Sequence, residues 1–261
     1  MPRFALALEY DGAAFLGTQI QAPGQRTLQK VLDDALSDLN GTPATIRFAS
    51  RLDQGVNAES LVGDCTLIRA WDPATLVRAL VPRLPPDVVS RRAALVSEDW
   101  SALRACAGKT YRYQVVLRPV RPVLDRRCLW VRELDRPDLL QSCADLLIGR
   151  HDLSCFANLR HDERDELDPV RTYTAATWTT GEDTFGRHWT FHISGEGFLY
   201  RQVRAMVGAM VFVAQTRATL ADFRSAIAKG RGATRLGNLA PAEGLVLERM
   251  TFAPEPAWVT P

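Results

Sequence analysis

The sequence predicts an α+β protein made of two halves with a mostly antiparallel sheet. Three observations carry this. The first segment, Arg3 to Tyr10, alternates cleanly, with Phe4, Leu6, Leu8 and Tyr10 on one side, as in a half-buried strand. Segments of helical spacing, such as Leu28 to Leu39, interrupt the strands. From about Ser97 a second half repeats the element rhythm of the first, as a pseudo-duplicated fold would.

Asp11-Gly12 turns the chain after the first strand, and Phe15 to Gln25 is a loop. Thr27 caps a helix whose apolar residues are Leu28, Val31, Leu32, Ala35, Leu36 and Leu39, and Gly41 closes it. Ala44 to Phe48 reads as a short strand and Leu61 to Leu67 as another. Asp72 and Pro73 open a helix, Leu84-Pro-Pro86 stops it, and Val88 to Val96 is a strand. In the second half, Lys109 to Val116 is a strand with Tyr111 and Tyr113 on one face. The loop from Arg118 to Arg127 holds two prolines and four arginines, which suits either phosphate contact or simple solvation. Leu139 to Leu147 is a helix ended by Gly149, and His151 to Glu166 a long polar loop. Thr172 to Thr180 and Arg187 to Ser194 form a hairpin. Gly195 and Gly197 launch an apolar helix that begins at Phe198 and runs to about Ala214. Ala221 to Lys229 is a shorter helix, Leu245 to Phe252 a last strand, and Pro254 to Pro261 a tail. The expected division is an N-terminal subdomain over 1–100, a C-terminal one over 101–253, and the tail 254–261, with halves too interdependent to separate freely.

Composition bounds the function. The chain has 261 residues, 46% hydrophobic and 24% charged, ordinary values for a soluble globular protein. Net charge is only +2, so a nucleic-acid binder of this composition must concentrate its bases locally. Five cysteines without C-x-x-C spacing point to reduced, buried thiols in a cytoplasmic protein rather than a zinc ribbon or redox pair. No signal peptide and no apolar run of transmembrane length is visible.

Chemistry concentrates in the stretch Ala49-Ser-Arg-Leu-Asp-Gln-Gly-Val-Asn-Ala58. Asp53 follows Arg51 by two residues, and Gly55 supplies freedom for a tight turn. A carboxylate beside a guanidinium stays ionised, and an ionised, positioned carboxylate is one form of nucleophile. The plain alternative is an Asp that caps a surface turn. Arg204 lies on the apolar helix among Val203, Met206, Val207 and Met210, where a buried guanidinium needs an anion or must reach the surface. Tyr111 is either a stacking platform or a core aromatic beside Tyr113. His151-Asp152 and His161-Asp162 lack partners at metal-ligand spacing, and Gly195-Glu-Gly197 lacks the rest of a phosphate-loop pattern.

The Asp53 stretch, the Tyr111 strand and the Arg204 helix, in this order and at these distances, resemble the tRNA pseudouridine synthase A family. The opening Leu8-Glu-Tyr-Asp-Gly12 and the closing Ala240-Pro-Ala-Glu-Gly-Leu245 are also similar to it, so the likeness runs from Phe4 to Phe252. The resemblance implies two α+β halves on one continuous sheet, a central cleft, and a homodimer that takes one tRNA across both subunits. It implies isomerisation of uridine to pseudouridine on the 3′ side of the anticodon stem–loop, at nucleotides thirty-eight to forty, with no cofactor, no metal and no membrane. By resemblance Asp53 is the catalytic acid that attacks the nucleotide. Tyr111 stacks on the target base and helps remove the C5 proton, Arg204 pairs with Asp53, and Arg51 stands at the RNA entrance. The family's usual motif is Arg-Thr-Asp-Ala-Gly-Val-His-Ala; here Leu52, Gln54 and Asn57 replace Thr, Ala and His. A Gly-Trp-Gln-Arg block likewise reads Gly17-Thr18-Gln19-Ile20. The competing reading is a diverged paralogue that binds RNA without chemistry; a nucleoside hydrolase lacks a paired second carboxylate.

Overall fold

In the computed structural model, residues 1–20, 22, 24–124, 126–158, 168–183 and 186–261 are described. The first half runs β1 (Arg3–Tyr10), α1 (Leu28–Asn40), β2 (Arg47–Phe48), β3 (Asn57–Thr66), α2 (Pro73–Leu80), β4 (Val88–Val96) and the single turn α3 (Ala102–Ala105). Then come β5 (Cys106–Leu117), β6 (Leu129–Val131), α4 (Asp138–Asp145), β7 (Gly149–Asp152), β8 (Val170–Asp183), β9 (Gly186–Gly195), α5 (Gln202–Ala214), α6 (Leu220–Lys229) and β10 (Leu245–Phe252). Contacts divide the chain into Met1–Lys109 with Val246–Pro261, and Thr110–Leu245, so the end of the chain returns to the first unit.

In the first unit the strand order is β4-β1-β3-β10, with β2 on β3. The β1 pairings with β3 and β4 are antiparallel, while β10 joins β3 in parallel through Val246 and Leu247. Strand β1 departs from the expected half-buried form. Phe4 to Leu8 are all almost inaccessible, because Ala5 and Ala7 on the second face are covered as well. Helix α1 begins where expected: Thr27 accepts from Lys30 N–H, and Gly41 ends it in the left-handed region at φ 71°. Asp72 caps α2 through Thr75 N–H, and a 3-10 turn over Val81–Arg83 carries the chain on to Leu84. The expected strand over Ala44 to Phe48 shrinks to two residues. Ala44 and Ile46 are instead bonded to α1, Ala44 N–H to Ser37 Oγ and Ile46 N–H to Asp33 Oδ1. The tail is paired rather than free: Val259 and Ala93 exchange N–H to O bonds of 2.9 and 3.1 Å, and Arg92 lies over the Trp258 ring.

The second unit holds β5-β9-β8-β7, with the short β6 parallel to β5. The β8–β9 hairpin is longer than expected at both ends. Strands β6, three apolar residues, and β7, four mostly polar ones, are too short to read as strands. Helix α5 is buried along almost its whole length, Arg204 and Phe212 apart, and packs on α4 and α6. Trp178 on β8 stacks on Phe191 at 5.0 Å and donates from Nε1 to Met210 Sδ on α5. Thr219 and Asp222 form a capping box on α6. Helix α5 starts at Gln202 and not at Phe198, because Arg201 adopts φ 61°, a left-handed conformation incompatible with a continuing helix.

All five cysteines are free thiols. Burial pushes Cys65, Cys143 and Cys155 up to about 12, which leaves them as unreactive packing residues. No helix among the described residues is long and apolar enough to cross a membrane.

Burial also lifts Asp33 from its ordinary 3.8 to about 6, against the opposing bond from Ile46 N–H. A carboxyl raised in the folded state contributes stability that is full below about pH 4 and lost as pH rises through about 6. Asn at this position keeps an acceptor for Ile46. Asp33→Asn should therefore gain stability relative to wild type between about pH 4 and 6 and hold that gain above it. The gain is on the order of 1 kcal/mol, allowing for solvent screening of a half-exposed group. Urea melts of both proteins across this pH range measure it; a difference independent of pH would contradict it.

Candidate active site

The Asp53 loop is built between two fixed points of the first unit. On its N-terminal side Leu52 and Thr18 bond to each other backbone to backbone and backbone to hydroxyl. Thr18 N–H donates to Leu52 O at 3.1 Å, and Leu52 N–H donates to Thr18 Oγ1 at 3.1 Å. On its C-terminal side Gly12 N–H donates to Asn57 Oδ1 at 2.9 Å. Between these, Val56 N–H closes a turn onto Asp53 O at 3.2 Å, and Gly55 takes φ 79°, which a side chain would strain. The carbonyl of Asp53, a backbone atom, thus closes the turn. Asp53 is half-buried, Leu52 is buried, and Arg51 and Gln54 are exposed.

The other two candidates lie in the second unit, on a shared frame. Tyr111 on β5 is 5% exposed, and its ring and that of Phe198 meet in a T-shape, centroids 4.9 Å apart at 79°. Phe198 stacks in turn on Tyr173, whose hydroxyl donates to Gln202 Oε1 at 2.6 Å. Arg204 on α5 donates from Nε to Ala240 O at 2.7 Å, and Ala240 N–H returns a bond to Arg204 O. The next carbonyl, Pro241 O, accepts from Tyr113 Oη at 2.8 Å. Burial pushes the Tyr113 phenol far above its ordinary range, with Arg204 pulling the other way. So β5 and α5 are tied to the same short segment, Ala240-Pro241. That segment approaches α5 closely because of Gly208, where an added Cβ would lie 1.9 Å from Asn238 O.

Arg51 and Asp53 therefore share one loop of the first unit, while Tyr111 and Arg204 belong to the second. Several supports of these residues carry no signal in the sequence. Phe198 reads as the start of a helix but is a ring partner. Gln202 is 1% exposed and spends its amide on Tyr173, Leu199 N–H and Leu153 O. Thr18 reads as a loop residue, although a buried hydroxyl in a loop is itself a hint that a partner must exist. Gly195, part of the weak phosphate-loop pattern, is explained by packing, since a Cβ there would lie 2.4 Å from Tyr173 Cδ1. His151 donates from Nε2 to Ile148 O at 2.7 Å, and Asp152 accepts from Ser154 N–H. His161 and Asp162 lie outside the described residues. Among the described residues no three His, Cys, Asp or Glu side chains gather as metal ligands.

Comparison with known proteins supplies the class. Residues 143–253 match a family model described as tRNA pseudouridine synthase. A tRNA pseudouridine synthase A of Cereibacter sphaeroides is 36% identical over 98% of this chain and 99% of its own length. Proteins of the same name from Solidesulfovibrio magneticus and a Methylobacterium species are 35% and 36% identical, covering 97% and 98% of this chain and 92% and 99% of their own lengths. Such matches along the whole chain define an isomerase of the pseudouridine synthase class. Within that class, the chain belongs to the tRNA pseudouridine synthase A family.

Gly208→Ala should push the Asn238–Ala240 segment off α5, because the obstructing atom is backbone oxygen and cannot rotate away. The expected cost is about 1–3 kcal/mol in denaturant melts. Enzymatic activity should fall with it, since Ala240 O holds Arg204. A variant as stable and active as wild type would show that this contact is dispensable.

Proposed function

We propose that the enzyme converts uridine to pseudouridine in the anticodon stem–loop of tRNA, at nucleotides thirty-eight to forty, acting as a homodimer in the cytoplasm. The relatives named for this activity support the substrate class. The observation that carries the residue assignment is the anchored Asp53 loop, which presents one half-buried carboxylate between two hydrogen-bonded clamps. Asp53 is the reacting acid. The glycosidic N1–C1′ bond breaks, the uracil turns, a C5–C1′ bond forms, the C5 proton leaves, and N1 takes up a proton from water. Substrate and product are isomers, so no oxidant or reductant enters the balance.

A base in a stem must first be flipped out, at a cost of a few kcal/mol. Tyr111, braced by Phe198, offers a platform that returns about 1–3 kcal/mol by stacking. Its hydroxyl takes part in removing the C5 proton. A guanidinium carries five N–H donors. In this reading Ala240 holds Nε of Arg204, and the terminal nitrogens pair with Asp53, keeping it ionised near RNA phosphates that would otherwise raise its pKa. Arg51, exposed on the same loop as Asp53, meets the RNA where the flipped base leaves.

Asp53→Asn keeps the shape of the side chain and removes the reacting oxygen's charge. It should abolish tritium release from tRNA transcripts carrying C5-tritiated uridine, while tRNA affinity stays equal or rises slightly, because binding rests on phosphate contacts. A folded Asp53→Asn that turns over at the wild-type rate would overturn the assignment. Wild type that binds tRNA tightly and releases no tritium would favour the binding-only paralogue. Tyr111→Phe keeps the ring and should lower turnover with little change in affinity. Full activity in that variant would restrict Tyr111 to stacking.

A further inference from the structure

We propose that Thr18 and Asn57 are positioning residues that set the Asp53 carboxylate from either side of its loop. The inference rests on the reading of Asp53 as the reacting acid. Asp53 has no regular element beneath it: it lies on the loop between β2 and β3. A loop that places a reacting atom needs rigid support, since reaction rates fall steeply with small displacements.

Thr18 supplies that support from α1. It is 1% exposed, and all three of its polar groups are engaged. Its N–H and its hydroxyl hold Leu52 O and Leu52 N–H. Its own carbonyl accepts from Gln29 N–H at 2.9 Å, and Gly17 O accepts from Leu28 N–H at 3.2 Å. Leu28 and Gln29 are the first residues of α1, whose N–H groups have no partner inside the helix. The Asp53 loop is thereby coupled through one threonine to a helix whose Leu28, Leu32 and Leu36 are wholly buried in the core. The approach is close: Gly17 has φ 99°, and a Cβ there would lie 3.0 Å from Leu52 O.

Asn57 does the same from the other end. It is 6% exposed and accepts from Gly12 N–H at the turn that follows β1. Gly12 lies so near the loop that an added Cβ would be 2.2 Å from Val56 O. Leu52 and Asn57 flank Asp53 by one and four residues, so neither end of the loop can drift without breaking a buried bond.

The test uses the full-length enzyme and the C5-tritiated transcripts. Thr18→Val keeps the shape and removes the hydroxyl. It should lower kcat about tenfold to a hundredfold, with KM for tRNA within about twofold of wild type. Thr18→Ser restores the hydroxyl and should recover most of kcat. Asn57→Ala should also lower kcat rather than raise KM. A folded Thr18→Val with wild-type kcat overturns the inference, as does equal loss in Thr18→Val and Thr18→Ser. Should Thr18→Val not fold, amide exchange in wild type decides: Leu52 and Gly12 N–H should be protected, and exchange as fast as that of Gln54 N–H overturns the clamp. Asp53→Asn at full activity would remove the reacting-acid reading itself. Inactive Asp53→Asn beside fully active Thr18→Val would remove only the positioning role.

Discussion

The first unit depends on one close approach, that of Gly12 to the end of the Asp53 loop. No side chain fits at residue 12, where a Cβ would meet Val56 O at 2.2 Å. Because the backbones touch, Gly12 N–H reaches Asn57 Oδ1, and β1 and β3 enter their antiparallel pairing from a fixed point. Strand β1 then lies between β3 and β4 with both faces covered. Buried backbone groups must find partners; here those partners also hold the candidate catalytic loop.

The second unit solves the same problem with glycine and a buried helix. Gly208 lets the 238–240 backbone lie against α5, and the exchanged Arg204–Ala240 bonds hold it there. Tyr113 anchors the adjacent Pro241 carbonyl. The carbonyl and Nε of Arg204 are thus both satisfied by Ala240. The departures from the family motif divide in a consistent way. Thr18, Leu52 and Asn57 are buried and bonded to one another or to the neighbouring turn, whereas Gln54 and Ile20 are exposed.

Much of the fold is legible in the sequence where the signal is local. Thr27 and Gly41 mark the ends of α1 and Asp72 and Pro73 the start of α2, and the strands read over Val88 to Val96 and Leu245 to Phe252 are β4 and β10. Legibility fails where a distant partner makes the element. Strands β6 and β7 are only three and four residues long and exist because β5 and β8 are beside them. The tail is ordered by Ala93 and Arg92, far away in the sequence. The start of α5 moves to Gln202 because a single residue, Arg201, takes a conformation that no periodicity announces. Asp53, Tyr111 and Arg204 were visible as candidates; Phe198, Gln202 and Ala240, which brace the latter two, were not.

The sequence by itself determined the elements whose cause lies within a few residues: caps, glycine stops, and the periods of helix and strand. It also determined family membership, since motif order and spacing run along nearly the whole chain. Only the tertiary structure decided which loop residue bonds to Leu52, which carbonyl Arg204 holds, and that Val246–Pro261 belongs with the first unit. The physical reason is range. Propensity and capping act across one turn of chain, whereas a bond between Thr18 and Leu52, or a backbone contact at Gly12, exists only after segments remote in sequence have closed on each other.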